Sequence, residues 1–322
     1  MPRTFVRSIF LLALCAASAL AQGQSWPTKP IHFIVPFGPG STDILARMLA
    51  PKASAALGQP IVVENRPGAT GNVGSLQVAR SAGDGYTLLF GAAASVAVNP
   101  ALYSNLGYDP LKDLAPVILV ASIPNVVIVN PKLTIKSIAE LIAAAKAKPG
   151  GLNYSSNGSG SSQHMAAALF EFSTGVKMVH VPYKGSSEGI VAVVRGDADV
   201  MFANLPPAMP LIADNRVRPL AVTSPKRVPL FPKLPTVAES GVPGFDVSAW
   251  FAIFVPAATP QNIVQRLNKE FGAAIADPDI RGKLTQQGYI VHGGSSQELG
   301  ALMRSETVKW AKVVKESGAK AD

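Results

Sequence analysis

Cysteine is almost absent from this chain of 322 residues, which contains only Cys15. Cys15 lies in an N-terminal segment that we expect to be removed, so the remaining chain would have no thiol. This excludes thiol catalysis, disulfides and cysteine metal sites. Clustered basic residues are also lacking, because the net charge of +9 comes from 29 scattered lysines and arginines against 20 acidic residues. No helix-turn-helix, zinc or aromatic–basic pattern accompanies them, so no nucleic acid partner is expected.

Long apolar runs are missing as well. No stretch after residue 21 approaches the roughly 20 apolar residues that a membrane-spanning helix requires. Residues 1–21 have the parts of a secretory signal peptide: basic Arg3 and Arg7, the apolar run Ile9–Leu14 and the small cleavage-site residues Ala19–Ala21. We therefore expect cleavage after Ala21 and export of a soluble protein to the periplasm.

Short β-branched runs alternate with longer segments of helical periodicity, which predicts an α/β protein with mainly parallel sheets flanked by helices. The predicted strands are Ile31–Val35, Ile61–Val63, Thr87–Phe90, Val126–Val129, Leu152–Tyr154, Met178–Val181, Val200–Phe202, Arg218–Val222, Phe251–Val255 and Tyr289–Val291. The predicted helices are Thr42–Leu57, Val73–Ala82, Ile138–Lys148, Ser162–Thr174, Ser187–Arg195, Pro260–Ala276, Ile280–Gln287 and Gln297–Glu316.

The length suffices for two lobes, each with its own hydrophobic core. Two turn-forming stretches, residues 121–125 and 240–246, are candidate passages between them. We expect lobe 1 to comprise residues 22–122 and 247–322, and lobe 2 residues 123–246. A chain that leaves one lobe, builds the second and returns makes a double connection, which permits hinge closure around a ligand.

The turn Gly38-Pro39-Gly40-Ser41-Thr42-Asp43 joins the first predicted strand to the first predicted helix. Such turns hold anions, because a helix N-terminus presents unpaired N–H groups and a partial positive charge. A dinucleotide phosphate and a carboxylate are the two candidates. Glu64 stands where a ribose-binding acid would, but Asp43 replaces the third glycine of the dinucleotide fingerprint and would repel a pyrophosphate. A carboxylate is favoured, with Ser41 or Thr42 as the helix N-cap and a capping role for Asp43.

A second small-residue turn, Ser155–Ser162, again lies between a predicted strand and a predicted helix. We expect its exposed N–H groups to contact the ligand. His164 follows directly and is the histidine expected to face the cleft, whereas the other three, His32, His180 and His292, are assigned packing or surface roles. No Gly-x-Ser-x-Gly motif or metal-ligand spacing is present, so neither catalysis nor a metal or cofactor is expected.

Four stretches, Ile34–Asp43, Glu64–Gly74, His180–Gly185 and Gly196–Phe202, occur in an order that resembles the substrate-binding proteins of tripartite tricarboxylate transporters, also called the Bug family. The resemblance extends over essentially the whole mature chain. It implies two hinged α/β lobes of the type II-like periplasmic binding protein fold. It also implies a small organic acid in the cleft, either a mono- or dicarboxylate or an amino acid. Delivery to the transporter's membrane permease is implied, catalysis is not, and we expect a monomer.

Carried onto this chain, the resemblance implies contacts through loop backbone amides and ordered waters. The residues concerned are Phe37, Gly38, Pro39, Gly40, Ser41, Thr42, Asp43, Ala93, Ser95, Ser156, Asn157, Gly158, Ser159, Gly160, Ser161, Ser162, His164, Tyr183, Lys184, Gly185 and Asn204. Ser41 departs from the family, which usually has glycine there. Serine would be strained if the position needs a positive φ, or it would add a hydroxyl donor.

Two other functions remain open on the sequence alone. An exported sensory binding protein, which presents its ligand state to a membrane kinase, would have the same features. A periplasmic α/β enzyme is the further alternative.

Overall fold

Strands and helices alternate along residues 26–38, 40–183 and 185–319, which are the residues that the computed structural model describes. The strands are β1 Ile31–Val35, β2 Ile61–Asn65, β3 Thr87–Ala92, β4 Leu114–Val129, β5 Asn153–Ser156, β6 Val179–Pro182, β7 Val200–Asn204, β8 Arg218–Val222, β9 Ser248–Pro256 and β10 Ile290–Gly293. The helices are α1 Ser41–Leu57, α2 Asn72–Ala79, α3 Asn99–Leu102, α4 Pro110–Asp113, α5 Ile138–Ala147, α6 Ser162–Thr174, α7 Ser186–Arg195, α8 Leu205–Ala213, α9 Gln261–Ala276, α10 Pro278–Gln286 and α11 Ser296–Ser317. The expected signal peptide, Pro39 and Lys184 lie outside the described residues.

The strands form a curled sheet with the order β2-β1-β3-β9-β4-β7-β5-β6, while β8 and β10 also pair with β4. The expected two-lobed α/β fold is confirmed. The sheet is mixed, however, since β1 and β5 pair in parallel with their neighbours, whereas all pairings of β4 and β9 are antiparallel. The outer strands follow the expected βα pattern. The two long central strands do not, because they run in opposite directions through the middle of the sheet.

β4 belongs to both halves of the sheet. Up to Pro124 it pairs with β9, and from Asn125 onward it pairs with β7 and β8. The chain passes from one half to the other a first time within β4, at Asn125, and returns between β8 and β9. Thr223 connects these two crossing segments. Its Oγ1 accepts a hydrogen bond from the N–H of Asn125 (2.8 Å) and donates one to the carbonyl of Val247 (2.6 Å). Two connections therefore run between the halves.

Apolar side chains fix the strand ends from which the loops emerge. Leu45 and Leu49 lie one turn apart on α1 and are fully buried. Phe33 of β1 packs edge-on against Phe90 of β3 at 5.5 Å between ring centroids and contacts Phe271 of α9 at 5.4 Å. Full burial of each such side chain stabilises the fold by about 1.5–3 kcal/mol. β1, β3 and α1 thus support residues 36–40, which connect β1 to α1 and are called the first glycine-rich loop below.

Several elements differ from the sequence expectations, among them the short helices α3 and α4, which were not expected. β4 begins at Leu114 instead of Val126, although Pro116 interrupts its first part. The register shifts between Pro116 and Ile118, and a bulge of this kind accommodates the missing N–H of proline. α8 was not expected, because it contains three prolines, but two of them lie in its first turn, where helical N–H groups have no partner within the helix. None of the described helices is long and apolar enough to cross a membrane.

Candidate ligand-binding site

The first glycine-rich loop leads from β1 directly into α1. Gly40 is the N-cap, and in the described part of this loop no side chain caps the helix. The expected N-cap at Ser41 or Thr42 is therefore wrong, since both residues lie inside the helix. Ser41 does not have a positive φ, so serine is not strained at this position. Burial raises the pKa of Tyr289, and the nearby Ser41 hydroxyl partly offsets this rise. The first N–H groups of this 17-residue helix face the loop.

Asp43 forms an ion pair and does not cap α1. Arg47 Nε donates to Oδ1 and Oδ2 of Asp43 at 2.9 and 3.1 Å, and Arg47 Nη2 donates to Asn65 Oδ1 at 2.9 Å. Asn65 Nδ2 donates to the carbonyl of Phe37 at 3.0 Å, which ties the loop to this network. Burial tends to raise the pKa of Asp43, but hydrogen bonds from Arg47 and Asn65 outweigh it and leave the pKa below its usual value. Arg47 balances the charge of Asp43, so an anion can be held nearby.

The second loop, Ser155–Ser162, leads from β5 into α6 and is held by hydrogen bonds within itself. Ser161 is the side-chain N-cap of α6. Ser156 Oγ accepts from the N–H of Gly158 at 3.1 Å. Gly158 and Gly160 have φ values of 103° and 79°, a region that favours glycine. The two glycines of this loop are therefore required by its backbone.

Three stacked rings support the second loop. The ring centroid of His180 lies 4.9 Å from that of Tyr154 and 4.2 Å from that of His164. His164 is buried, and its Nδ1 accepts from the N–H of Gly160 at 3.0 Å. His180 packs, as expected, but its Nε2 also lies 2.7 Å from Ser156 Oγ. Both histidines thus hold the loop in place.

A buried amide network connects the second loop to its surroundings. Gln163 Nε2 donates to Ser186 Oγ and Asn204 Oδ1, each at 2.8 Å, and Gln163 Oε1 accepts from the N–H of Asn157 at 2.7 Å. Asn204 Nδ2 in turn donates to Asn125 Oδ1 at 2.8 Å. The network links the loop to the starts of α7 and α8 and to the crossing in β4. Asn157 and Asn204 were predicted, whereas Gln163 and Asn125 were not singled out.

The two loops meet through the 3₁₀ turn Ala69–Gly71, which was not among the predicted contact residues. Thr70 Oγ1 donates to the carbonyl of Ser159 in the second loop at 3.3 Å. On the other side, a Cβ built on Gly71 would lie 2.8 Å from the ring of Phe37 and 3.1 Å from the side chain of Ser95. Phe37, Ser95 and Ser159, which are far apart in the sequence, are thereby brought together.

The remaining described candidates lie beside this cluster. Ala93 and Ser95 follow β3 and are buried, and the hydroxyl of Tyr108 donates to the carbonyl of Ser95 at 2.6 Å. The N–H of Tyr183 donates to the last carbonyl of β5 at 2.9 Å, and Gly185 is the N-cap of α7. The turn after β6 therefore runs alongside the second loop.

Glu64, the possible ribose-binding acid, is already occupied by neighbouring side chains. Its carboxylate lies 2.5 Å from His32 Nδ1 and 2.9 Å from Arg66 Nη2. Hydrogen bonds from His32 and Arg66 keep the pKa of Glu64 below its usual range. In the parts of the chain that the structure covers, no group of three or more His, Cys, Asp or Glu residues is arranged to hold a metal ion.

A cavity of about 350 Å³ lies apart from both loops, between β4, β9, β10 and α11. Trp250 and Leu302 are among its apolar lining residues, and Lys226 and Glu306 are among its charged ones. None of the predicted site residues lines it, so this cavity is not part of the candidate site.

Comparison with known proteins gives consistent results. A family model described as the tripartite tricarboxylate transporter family receptor matches residues 45–319. The chain is 38% identical to protein BugT of Bordetella pertussis over 311 residues, 96% of this chain and 95% of that protein. It is similar to a solved structure from R. palustris with adipate (TM-score 0.83, 38% identity, 92% of this chain and 100% of that one). It is also similar to MatC from Rhodopseudomonas palustris with bound malate (TM-score 0.80, 31% identity, 90% and 100%).

Proposed function

The chain belongs to the family of tripartite tricarboxylate transporter receptors, and on this premise we propose that it captures a small organic carboxylate between two lobes and delivers it to a membrane permease. The family consists of solute-binding receptors, not enzymes. We accordingly propose a periplasmic location after signal-peptide removal and no catalytic activity.

The observation that carries this proposal is the meeting of two glycine-rich loops at the starts of α1 and α6. Helices of 17 and 13 residues begin there, and each N-terminus carries a partial positive charge worth about 0.3–1 kcal/mol to a nearby anion. A planar carboxylate can accept hydrogen bonds from such backbone donors without a basic side chain. Similar proteins bind adipate and malate, which are both small dicarboxylates.

The proposed lobes are residues 22–122 with 247–322, and residues 123–246. Two observations support these boundaries: β4 changes partners between Pro124 and Asn125, and Thr223 bonds to both Asn125 and Val247. The first loop then belongs to lobe 1 and the second to lobe 2, so a ligand held by both loops would favour closure.

Thermal unfolding of the purified protein with small mono- and dicarboxylates, including adipate and malate, tests ligand binding. A ligand at about 100 times its Kd stabilises the folded state by roughly 2.7 kcal/mol. At about 2–4 °C per kcal/mol, the melting temperature should rise by several degrees. Nicotinamide dinucleotides should cause no shift. If no carboxylate shifts the transition, the proposal fails.

Turnover and uptake measurements test the remaining parts. Prolonged incubation with any acid that binds should return it unchanged, and sustained product formation would contradict the receptor role. Cells lacking the gene should lose high-affinity uptake of that acid. Undiminished uptake, combined with an altered transcriptional response, would instead indicate a sensory receptor.

A further inference from the structure

Asn99 lies between the two loops, and the orientation of its amide is fixed by its neighbours. The side chain is fully buried. Its Nδ2 donates to the carbonyl of Thr70 at 3.0 Å and to Asn72 Oδ1 at 2.7 Å. The carbonyl of Thr70 can only accept, so the nitrogen must face this side. The carbonyl oxygen of Asn99 therefore faces the other way.

Asn99 Oδ1 has no hydrogen-bond donor among the described residues. It faces the second loop, since a Cβ built on Gly160 would lie 3.3 Å from it. Buried side-chain oxygens without a donor are uncommon in folded proteins and destabilise them. The orphaned acceptor lies where the two ligand loops meet, so a donor on the ligand would relieve this penalty.

We propose that Asn99 is a specificity-determining residue whose Oδ1 accepts a hydrogen bond from a hydroxyl or ammonium group of the bound acid. The inference rests on the proposed function and narrows its substrate class to acids that carry an O–H or N–H donor beside the carboxylate. A carbonyl oxygen repels an ionised carboxylate, so Asn99 does not hold the acid group itself. An unsubstituted acid would leave the oxygen unpaired, and a site built to bond a substrate O–H or N–H discriminates strongly against the analogue that lacks it.

Calorimetric Kd values for matched acids test this inference. The pairs are malate with succinate and aspartate with succinate for four-carbon acids, and 2-hydroxyglutarate or glutamate with glutarate for five-carbon acids. Within at least one pair, the wild type should bind the donor-bearing acid at least 10-fold more tightly. The malate and aspartate arms distinguish a hydroxyl from an ammonium donor. Asn99→Leu has a similar volume but no acceptor, and should reduce the ratio to within about 2-fold.

Two further variants separate recognition from folding. Asn99→Asp keeps an oxygen at the position of Oδ1 but replaces Nδ2 with an oxygen that meets the carbonyl of Thr70, so it should lower the melting temperature and the affinity for every acid while retaining the preference for donor-bearing acids. Asn72→Ala removes a partner of Asn99 Nδ2 without touching Oδ1; it should lower the melting temperature but leave the Kd ratio unchanged. Equal wild-type affinities within every pair, or a ratio preserved in Asn99→Leu, would overturn the inference while the proposed function stands. If none of these acids nor the unsubstituted carboxylates bind, both proposals fail.

Discussion

Replacing Gly160 with alanine should weaken ligand binding as well as stability, because this residue combines two separate constraints. Its φ of +79° strains any residue with a side chain. In addition, a Cβ would lie 2.8 Å from Leu102 Cδ1 and 3.3 Å from Asn99 Oδ1. The strain arises within the second loop whatever the positions of the lobes. The contact arises only when the loop approaches α3, as it does in this structure.

The two constraints should therefore appear in different measurements. A left-handed alanine costs about 1–2 kcal/mol, which corresponds to a loss of several degrees in melting temperature. Overpacking against Leu102 and Asn99 costs about 1–3 kcal/mol. Opening of the lobes relieves this second penalty, so it should appear as a Kd raised by about 5- to 150-fold.

Two glycine variants serve as matched controls. Gly175 has a φ of +69° and open space around it, so Gly175→Ala should lower the melting temperature without changing the Kd. Gly40 has an extended φ of 160° and nothing within 4 Å of a built Cβ, so Gly40→Ala should cost only the weaker N-cap preference of alanine, about 1 kcal/mol or less. Thermal unfolding and calorimetry with the tightest-binding acid give both quantities. If Gly160→Ala matched Gly175→Ala in both measurements, closure of the loops on α3 would not accompany binding.

Two further substitutions test the supports of the site. Asp43→Asn removes an (i, i+4) ion pair with Arg47 worth about 0.5 kcal/mol, so the melting temperature should fall by about 1–2 °C at pH 7. Because the folded pKa of Asp43 lies below the usual value of 3.8, the carboxylate stabilises the fold above that pH and the contribution is lost as pH falls through the folded pKa. The variant and the wild type should therefore converge once the pH falls below the folded pKa, and a constant difference would contradict the ion-pair role. Thr223→Val leaves the N–H of Asn125 and the carbonyl of Val247 without their side-chain partner, which should lower the free energy of unfolding in urea by about 1–3 kcal/mol; a loss below about 0.5 kcal/mol would show that water replaces the hydroxyl.

The hydrophobic pattern predicted helices and strands well where the buried residues recur with the period of the element. β1 and β8 have the predicted bounds, because each ends in three buried apolar residues that are followed by a proline or by turn-forming residues. The first part of β4 was missed, since Pro116 and Pro124 are typical of turns when read locally. Pairing with β9 over nearly the whole of this part outweighs the tendency of the two prolines to form turns. Such pairing between distant segments produces no periodic pattern in a single sequence.

The two loops were predicted from small residues between a strand and a helix, but three of the residues that support them, Asn65, Asn99 and Gln163, were not. Asn65 reaches Phe37 across 28 positions, and Asn99 reaches Thr70 across 29. A single polar residue has no neighbours in the sequence that reveal such a partner. Gln163 offered the strongest available signal, because a buried amide directly after a serine-rich turn is positioned to bond the turn.

The continuity of β4 limits how this protein can be recombined with its relatives. The same strand completes both halves of the sheet, with its partners changing inside an unbroken backbone at Asn125. A chimaera joined there and again between β8 and β9 would combine strand segments from two parents in one hydrogen-bonded ladder and would separate Thr223 from its native partner Val247. Exchange of ligand preference between homologues should therefore succeed when individual loops are grafted onto intact β4 and β9, and fail when whole halves are exchanged at the crossing.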